Sequence, residues 1–339
     1  MSPEMISHGP RREAELAMFP ANDKLRICFA HVAYRLHERF SALDTGIDSF
    51  AARDRETLEK QVGEADVLVI SGLWHDGLLE GANRLRFIQA IGAGTDQFPR
   101  AELAQRGIRL ASARGVNHRA VAEHAMALIL ALSRRLPEAR DNQAKRVWRG
   151  MIGDPARRED ELGGKTLLVV GLGQIGGRLA QIAKAFDMRV VGLRRNPAAG
   201  RGAADAVYPM GEFGRLAQEA DFIALTCPLT DETENLVDAA TLSRMKPAAH
   251  LVNIARGRVV DETALVEALA ARRIAGAGID VTVEEPLAPN SPLWGMEQVL
   301  ITPHTAGETR AYEDNVIEIL RDNLKRLRRG ETQLRNQVV

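Results

Sequence analysis

The 339-residue chain has only two cysteines, Cys28 and Cys227, and their separation matches no metal-site spacing. So few cysteines argue against a disulfide framework and a structural zinc ion, and they favour a reducing compartment. The longest apolar stretch, around residues 125–132, is much too short to cross a bilayer. The N-terminus has no apolar signal core, and acids such as Glu4 and Glu13 do not fit a transit peptide. We therefore predict a cytoplasmic protein.

The chain also lacks a net charge, because 45 lysines and arginines balance 45 aspartates and glutamates. No overall electrostatic field favours nucleic acid or an anionic membrane, so any attraction for an anion must be local. The length exceeds that of one typical domain, which predicts two domains. We therefore expect a small-molecule ligand, and neither a nucleic-acid partner nor a membrane partner.

Short strand-like runs alternate with helical stretches along most of the chain. The strand patterns lie at residues 24–29, 67–70, 86–90 and 108–111, and then at 166–170, 189–193, 222–226, 250–254, 275–280 and 298–301. The helical patterns between them are clearest at residues 56–62, 100–105, 174–186 and 262–272. This alternation predicts an α/β fold in which parallel sheets carry helices on their faces.

Three segments lie outside this alternation. Residues 1–22 contain three prolines and no sustained period, so we expect a loose N-terminal arm. Residues 120–135 are apolar at most positions and stop near Pro137, which predicts a buried helix connecting two domains. Residues 311–329 show an amphipathic helical pattern that the second series of strands does not accommodate, so we expect this helix to pack on the first domain.

The strongest local motif is the glycine-rich segment 171–176, which reads Gly-Leu-Gly-Gln-Ile-Gly. It follows an apolar strand pattern and opens a helical one, as in a dinucleotide-binding βαβ unit. The first glycine allows a tight turn, the second lets the backbone approach a pyrophosphate, and the third allows close helix–strand packing. The helix N-terminus offers N–H groups to that anion. The predicted cofactor contacts here are Gly171, Gly173, Gln174, Ile175 and Gly176.

The residue that ends the second strand of such a unit decides which nicotinamide cofactor fits. An acid there would hold the ribose 2′-hydroxyl of NAD and repel the 2′-phosphate of NADP. This chain has Arg194 and Arg195 after Leu193, with no acid within reach. Two guanidinium groups can clamp a phosphate, although an arginine pair can also be an ordinary solvated feature. We predict NADP as the preferred cofactor, with NAD as the alternative.

Three further segments follow predicted strands and combine side chains that suit hydride transfer. They are residues 253–258, 278–287 and 302–307, and they contain Arg256, Glu285 and His304. Open α/β sheets bind ligands at the carboxyl ends of their strands. Each of the three residues, taken singly, could be an ordinary surface or structural residue. A metal site built on His304 and Glu285 would lack further ligands at suitable spacing, so we predict no metal.

Together with residues 115–123 and 227–230, these segments resemble those of the D-isomer-specific 2-hydroxyacid dehydrogenase family. That family includes phosphoglycerate, glycerate and D-lactate dehydrogenases and the glyoxylate and hydroxypyruvate reductases. The resemblance covers nearly the whole chain after residue 23, and the combined motifs are far more specific than the glycine-rich segment alone. It implies two Rossmann-like domains with parallel sheets and an active site in the cleft between them.

The resemblance assigns catalytic roles residue by residue. Arg256 matches the arginine that holds the substrate carboxylate and polarises the keto oxygen, a task that suits its planar fork. His304 matches the acid/base that exchanges a proton with that oxygen. Glu285 matches the acid that orients the imidazole, and we prefer it to Glu284 because it directly precedes Pro286.

The resemblance also implies contacts with cofactor and substrate. Asp280 corresponds to the acid near the nicotinamide. The other residues that the family motifs assign to the cofactor are Cys227, Pro228, Ile254, Ala255 and Gly307. The loop at residues 91–96 resembles one whose backbone N–H groups receive the substrate carboxylate, although it could be a plain turn. Its predicted contacts are Gly92, Ala93 and Gly94.

The family architecture implies a discontinuous substrate domain, formed by residues 23–117 and 307–339. The dinucleotide-binding domain, residues 118–306, is inserted between these two parts. Family members are usually dimers joined largely through the nucleotide domain, so we expect a homodimer. Trp148 lies in the segment that would reach toward the partner, or it is a core aromatic residue.

We therefore predict reversible, NADPH-dependent reduction of a small 2-keto acid to the D-2-hydroxy acid, with glyoxylate and hydroxypyruvate as the leading substrates. A bulkier keto acid stays open, since Leu73 and Trp74 could form an apolar wall. Phosphite dehydrogenases share the architecture, whereas the formate enzymes place a glutamine where this chain has Glu285. A non-catalytic, cofactor-sensing protein similar to the C-terminal-binding corepressors would retain similar site residues.

Overall fold

The computed structural model describes residues 19–339, which divide into two compact units. Unit one contains the described residues up to Val116 together with Arg310–Val339, and unit two contains Asn117–Thr309. The predicted N-terminal arm, residues 1–22, lies mostly outside the described residues.

The strands are β1 (Arg26–Ala30), β2 (Asp48–Ala52), β3 (Val67–Ile70), β4 (Phe87–Ala90), β5 (Arg109–Ala111), β6 (Thr166–Val170), β7 (Arg189–Leu193), β8 (Ala206–Tyr208), β9 (Phe222–Leu225), β10 (His250–Asn253), β11 (Gly276–Ile279) and β12 (Val299–Ile301). The α-helices are α1 (Leu36–Ser41), α2 (Arg55–Gln61), α3 (Leu78–Gly81), α4 (Arg100–Gln105), α5 (His118–Ser133), α6 (Leu136–Ala144), α7 (Gln174–Lys184), α8 (Phe213–Ala217), α9 (Ala239–Arg244), α10 (Glu262–Ala270) and α11 (Tyr312–Arg328). Short 3-10 helices include Gly257–Val259 and Pro292–Gly295.

Unit one is built on a parallel sheet with the strand order β2-β1-β3-β4-β5. The central strands β3 and β4 are buried at every position, as expected of a sheet covered on both faces. The helix α11 buries one apolar face, which includes Val316, Leu320 and Leu324, in the same core as Ile27 and Phe29 of β1. This helix therefore belongs to the first sheet although it lies at the end of the chain.

Unit two is built on a parallel sheet with the strand order β12-β11-β10-β9-β6-β7-β8. The chain starts at β6, adds β7 and β8 on one side, and then crosses to β9 on the other side of β6. This reversal leaves a crevice at the carboxyl ends of β6 and β9, where ligands of open α/β sheets bind. The prediction of two parallel-sheet α/β domains is confirmed.

The long apolar pattern near residues 120–135 is a buried helix, α5, whose position differs from the expected connector. It packs inside the core of unit two with residues of β6, β7, β9 and β10. A Cβ at Gly278 of β11 would lie 3.0 Å from Cβ of Leu128, so β11 and α5 approach closely because this strand position has no side chain. Hence α5 is a core helix of unit two.

Two strands were missed by the sequence patterns, and both are edge strands. β2 lies at one edge of the first sheet and β8 at one edge of the second. Their residues are mostly half-buried, whereas the inner strands are almost wholly buried. An edge strand needs no continuous apolar run, so its sequence carries a weaker signal.

Cys28 and Cys227 are both buried free thiols. Burial raises the pKa of the Cys28 thiol to about 12 and that of the Cys227 thiol to about 11. Both thiols therefore stay protonated near neutral pH and act as small apolar side chains.

Across residues 19–339, no helix combines the length and the apolar character needed to cross a membrane.

Candidate active site

The carboxyl edge of the unit-two sheet brings together most of the predicted site residues. Gly171 follows β6, Arg194 follows β7, and Cys227 lies just after β9. The other predicted residues follow the strands on the far side of β9, namely Ile254, Ala255 and Arg256 after β10, Asp280 and Glu285 after β11, and His304 after β12. Parallel strands place all these segments at one edge of the sheet, although they span more than a hundred residues of sequence.

The glycine-rich turn after β6 is packed tightly against the end of β9. Gly171 has φ +100°, a conformation that favours glycine, and a Cβ there would lie 2.7 Å from the backbone N of Cys227. A Cβ at Gly176 would overlap the carbonyl oxygen of Gly171 and lie 2.8 Å from Oγ1 of Thr226. The Thr226 hydroxyl also donates to the Gly171 carbonyl at 2.7 Å. The folded chain therefore itself requires glycine at both positions.

Gly173 differs from the other two glycines of this turn. A Cβ there would meet no atom within 4 Å, so no protein packing requires the missing side chain. Gly173 caps the N-terminus of the 11-residue helix α7. The first N–H groups of such a helix have no intrahelical partner and attract anions. An open backbone at this position fits a nucleotide pyrophosphate, so the turn fits a dinucleotide cofactor.

Arg194 and Arg195 lie directly after β7, where a ribose-binding acid would otherwise stand. Arg194 is half-buried and donates from Nη1 to the carbonyl oxygen of Gly200 at 2.7 Å. This bond holds the guanidinium against the short turn formed by residues 196–200. A guanidinium has five N–H donors, so this contact leaves capacity for a further anion.

Arg256 lies in a turn that Asn253 braces from within. The buried Asn253 amide donates to the Arg256 carbonyl at 3.0 Å and accepts from the Ala255 N–H at 3.0 Å. The half-buried Arg256 guanidinium donates to the Ala255 carbonyl at 2.7 Å. The turn thus gives Arg256 a defined position at the edge of the sheet.

The Arg256 turn is in direct contact with the loop that carries Glu285. A Cβ at Gly257 would overlap the backbone of Thr282 and Val283, so these two turns touch through their main chains. The Val283 N–H donates to the Glu262 carboxylate of α10 at 2.9 Å, which anchors the second turn from the other side. This packing brings the segments of Arg256 and Glu285 together within unit two.

His304 and Glu285 form the hydrogen-bond contact expected of an imidazole and its orienting acid. Nδ1 of His304 lies 2.7 Å from Oε2 of Glu285, and Oε1 of Glu285 accepts from the Thr282 N–H at 3.2 Å. The side chains of His304 and Glu285 remain 48% and 39% exposed. Because Nδ1 faces the carboxylate, Nε2 is the ring atom that is available to exchange a proton with a ligand.

Asp280 is almost completely buried, with 3% of its surface exposed. Its carboxylate accepts from the Thr302 hydroxyl at 2.6 Å and from the backbone N–H groups of Thr305 and Ala306 at 3.0 and 3.2 Å. The structure therefore places this acid beneath the turn that carries His304, where it holds the turn in place.

Asn117 and Gly307 show a further close contact inside unit two. A Cβ at Gly307 would overlap the side-chain amide of Asn117, so the two residues lie in close contact. Asn117 belongs to the segment 115–123, which resembles the family, although the resemblance assigns this residue no role. Asn253, Thr226 and Thr302 each brace a turn through a side-chain hydrogen bond, and no spacing rule singles out such residues.

The predicted carboxylate loop lies in unit one, directly after β4. The Gly92 carbonyl accepts from the Ala113 N–H at 2.9 Å, and the Ile91 carbonyl accepts from the Tyr312 hydroxyl at 2.6 Å. A Cβ at Gly92 would make only ordinary contacts, the nearest at 3.8 Å, so unit one does not itself require glycine there. This loop is therefore anchored by its neighbours while its second residue keeps an uncrowded backbone.

Leu73 and Trp74, considered as an apolar wall for a bulky substrate, are core residues of unit one. Each is only 7% exposed. The Trp74 ring lies 4.8 Å from the Phe98 ring, and its Nε1 donates to Asp76 at 3.1 Å. They therefore offer little surface to a ligand.

Within residues 19–339, no group of three or more His, Cys, Asp or Glu side chains could hold a metal ion.

Comparisons with known proteins agree with this geometry. The family model for "D-isomer specific 2-hydroxyacid dehydrogenase, NAD binding domain" matches residues 126–306. The chain is 33% identical to a glyoxylate reductase of Korarchaeum cryptofilum, covering 88% of this chain and 89% of the relative. It is 37% identical to a glyoxylate reductase of Pyrococcus furiosus, covering 82% and 83% respectively.

A solved structure shows the same fold. The chain resembles a D-isomer specific 2-hydroxyacid dehydrogenase family protein from Aeromonas salmonicida with a TM-score of 0.81 and 29% identity, covering 93% of this chain and 99% of the other. The protein therefore belongs to the D-isomer-specific 2-hydroxyacid dehydrogenase family, and it is an oxidoreductase with a nicotinamide cofactor. The prediction of an enzyme of this class is confirmed, against the non-catalytic alternative.

The glycine-rich turn generates a test that separates packing from cofactor binding. We expect Gly176→Ala to lower the free energy of unfolding by about 1–3 kcal/mol or more, because the added methyl group overlaps the Gly171 carbonyl. Gly173→Ala should leave the melting temperature near that of the wild type, since its methyl group meets no protein atom. The same variant should weaken cofactor binding by about tenfold or more, which fluorescence titration measures. Normal cofactor affinity in Gly173→Ala would contradict the assignment of this turn to the pyrophosphate.

Proposed function

We propose that this protein reduces a small 2-keto acid, of the glyoxylate or hydroxypyruvate type, to the D-2-hydroxy acid with NADPH, reversibly. The proposal rests on the distance of 2.7 Å between Nδ1 of His304 and Oε2 of Glu285. The loop that carries Glu285 also packs against the turn that carries Arg256. The relatives named glyoxylate reductase support a small substrate. A proton donor, its orienting acid and a carboxylate binder are the groups that such a reduction requires.

The proposed proton transfer follows from the way in which the imidazole is held. Glu285 accepts from Nδ1–H of His304, which orients the ring so that Nε2 faces away from the carboxylate. A nicotinamide cofactor, when bound, would supply the hydride in reduction and accept it in oxidation. As the keto oxygen becomes an alkoxide, Nε2–H of His304 donates its proton to it, and in the reverse direction Nε2 takes the proton back.

Arg256 would bind the substrate carboxylate and polarise the neighbouring keto oxygen. Its guanidinium presents donors in one plane, which matches a carboxylate adjacent to a carbonyl. We assign a second carboxylate contact to the backbone N–H groups of Gly92, Ala93 and Gly94, by resemblance to the family loop.

The cofactor preference is proposed from the residues after β7. Arg194 and Arg195 replace the acid that would favour NAD, and the Gly200 carbonyl holds the Arg194 guanidinium. We also propose that residues at the carboxyl edge of the unit-two sheet contact the cofactor, namely Cys227, Pro228, Ile254, Ala255, Asp280 and Gly307.

A cytoplasmic location also stays a proposal, supported by the two free, buried thiols.

A homodimer is proposed from the exposed segment 145–160, which follows α6. Trp148 is 98% exposed, so the alternative that it is a core aromatic is wrong. Met151 is fully exposed and Val147 is 53% exposed, which leaves three apolar side chains in solvent on one stretch of chain. An exposed Trp and Met are typical anchors of a protein–protein interface. We propose that this segment contacts a second copy of the chain.

Arg256→Ala should lower kcat/KM for the best 2-keto acid by about 100-fold or more, because it removes the donors that would stabilise the developing charge. A spectrophotometric assay of NADPH oxidation against a panel of 2-keto acids measures this loss. Arg258→Ala is the matched control, since Arg258 is an exposed residue that pairs with Glu234 at 2.5 Å. The control should keep near-normal activity. The proposed reaction would be refuted if the wild-type protein failed to oxidise NADPH with every 2-keto acid in the panel. It would also be refuted if the protein oxidised phosphite instead.

Arg194→Asp should shift cofactor preference toward NADH, because a carboxylate accepts from the ribose 2′-hydroxyl and repels a 2′-phosphate. The ratio of kcat/KM values for NADPH and NADH should fall by about tenfold or more. Arg189→Gln, an exposed residue at the opposite end of β7, is the control that should leave the ratio unchanged. An unaltered ratio in Arg194→Asp would rule out the phosphate contact.

Wild-type protein should sediment at twice the chain mass of 37.1 kDa. Trp148→Glu combined with Met151→Glu should shift it toward the monomer at micromolar concentration, because two charges would be buried in an apolar contact. Leu43→Glu, which alters an exposed leucine of unit one, is the control and should stay dimeric. Analytical ultracentrifugation measures all three proteins. A monomeric wild type, or a double variant that remains dimeric, would contradict the proposed interface.

A further inference from the structure

The carboxylate of Asp280 is a buried charge that needs several donors to be stable. It lies immediately after β11 with 3% of the residue exposed. Burying an unpaired carboxylate costs several kcal/mol, so its partners form part of the fold. Those partners are the Thr302 hydroxyl at 2.6 Å and the backbone N–H groups of Thr305 and Ala306.

The hydrogen of the Thr302 hydroxyl settles the direction of a longer chain of hydrogen bonds. A hydroxyl has one hydrogen, and an ionised carboxylate can only accept, so Thr302 donates to Asp280. Nε2 of His124, on α5, lies 2.9 Å from the same Thr302 oxygen. Since that oxygen has no second hydrogen to give, Nε2 of His124 must donate. The chain therefore runs from His124 through Thr302 to Asp280.

This chain ends beneath the turn that carries His304. The His304 N–H donates to the backbone carbonyl of Asp280 at 2.8 Å, so Asp280 holds the turn through both its main chain and its side chain. His304 itself has φ +56°, which costs a non-glycine residue about 1–3 kcal/mol and persists only where the surroundings enforce it. The donors on Asp280 thus hold His304 in a conformation that a looser turn would not keep.

Nδ1 of His304 must stay in line with Oε2 of Glu285, 2.7 Å away, for the ring to present Nε2 to a substrate. A displacement of about 1 Å at a reacting group can reduce the rate by about 100-fold. We propose that His124 and Thr302 are positioning residues that act on His304 through the carboxylate of Asp280. The inference rests on the proposed function, because it assigns the purpose of the network to proton transfer by His304.

Two pairs of variants test the proposal, and each pair contains its own control. Thr302→Val removes the hydroxyl at nearly constant volume, whereas Thr302→Ser keeps it. His124→Leu removes the donor, whereas His124→Gln places an amide N–H near the position of Nε2. We expect Thr302→Val to lower kcat by about 10-fold to 100-fold and His124→Leu to lower it less. The conservative variants Thr302→Ser and His124→Gln should keep most of the wild-type kcat. The affinity for NADPH and the melting temperature should change little in the Ser and Gln variants.

A second measurement does not depend on turnover. The imidazole ¹⁵N resonances of His304, recorded by NMR on the cofactor-free protein, report its contact with Glu285. We expect Thr302→Val and His124→Leu to shift these resonances, and Thr302→Ser and His124→Gln to leave them near the wild-type positions. If Thr302→Val does not fold, the His124 pair decides by the same criteria.

The outcomes separate this proposal from the proposed function. A wild type that reduces no 2-keto acid would reject the function, while the NMR comparison would still decide whether the network positions His304. Unchanged kcat and unchanged His304 resonances in both Thr302→Val and His124→Leu would overturn the positioning role. Equal losses in the conservative and the disruptive variants would also overturn it, because they would indicate a general packing effect.

Discussion

The buried carboxylate of Asp280 accepts hydrogen bonds from one hydroxyl and two backbone N–H groups, and these bonds hold the turn that presents His304. A charge in this position must be satisfied by donors from the protein, because water does not reach it. Movement of this turn would therefore take the two backbone donors away from the buried charge. The alignment of His304 with Glu285, on which the proposed chemistry depends, follows from this constraint.

The same edge of the sheet is held together by close contacts between main chains. Gly171 lies against the backbone of Cys227, and Gly257 lies against that of Thr282. Turns that follow different strands can touch in this way only where a side chain is missing, so these glycines let the glycine-rich turn pack against the end of β9 and the Arg256 turn pack against the loop of Glu285. Gly173, with open space above it, is the exception, and this difference separates a glycine needed for packing from one left open toward a ligand.

The inner strands could be predicted from sequence because each is a short apolar run buried on both faces. The segments 67–70, 166–170 and 189–193 became strands with those bounds. The edge strands β2 and β8 could not be predicted in this way, since β2 begins with the polar residues Asp48 and Ser49 and β8 has only three residues. The helix α6 has no buried residue, so it also lacked an apolar stripe by which to recognise it.

The sequence by itself determined which chemical groups stand at the strand ends: the arginines after β7, Arg256, Glu285, His304 and the glycine-rich turn. Strand patterns and residue types are local properties, so a single sequence displays them. The tertiary structure decided which groups meet. It placed Thr302 against His124, a residue 178 positions away, and it put Leu73 and Trp74 in a core instead of a substrate wall. Such contacts arise from packing between distant segments, and no spacing along the chain encodes them.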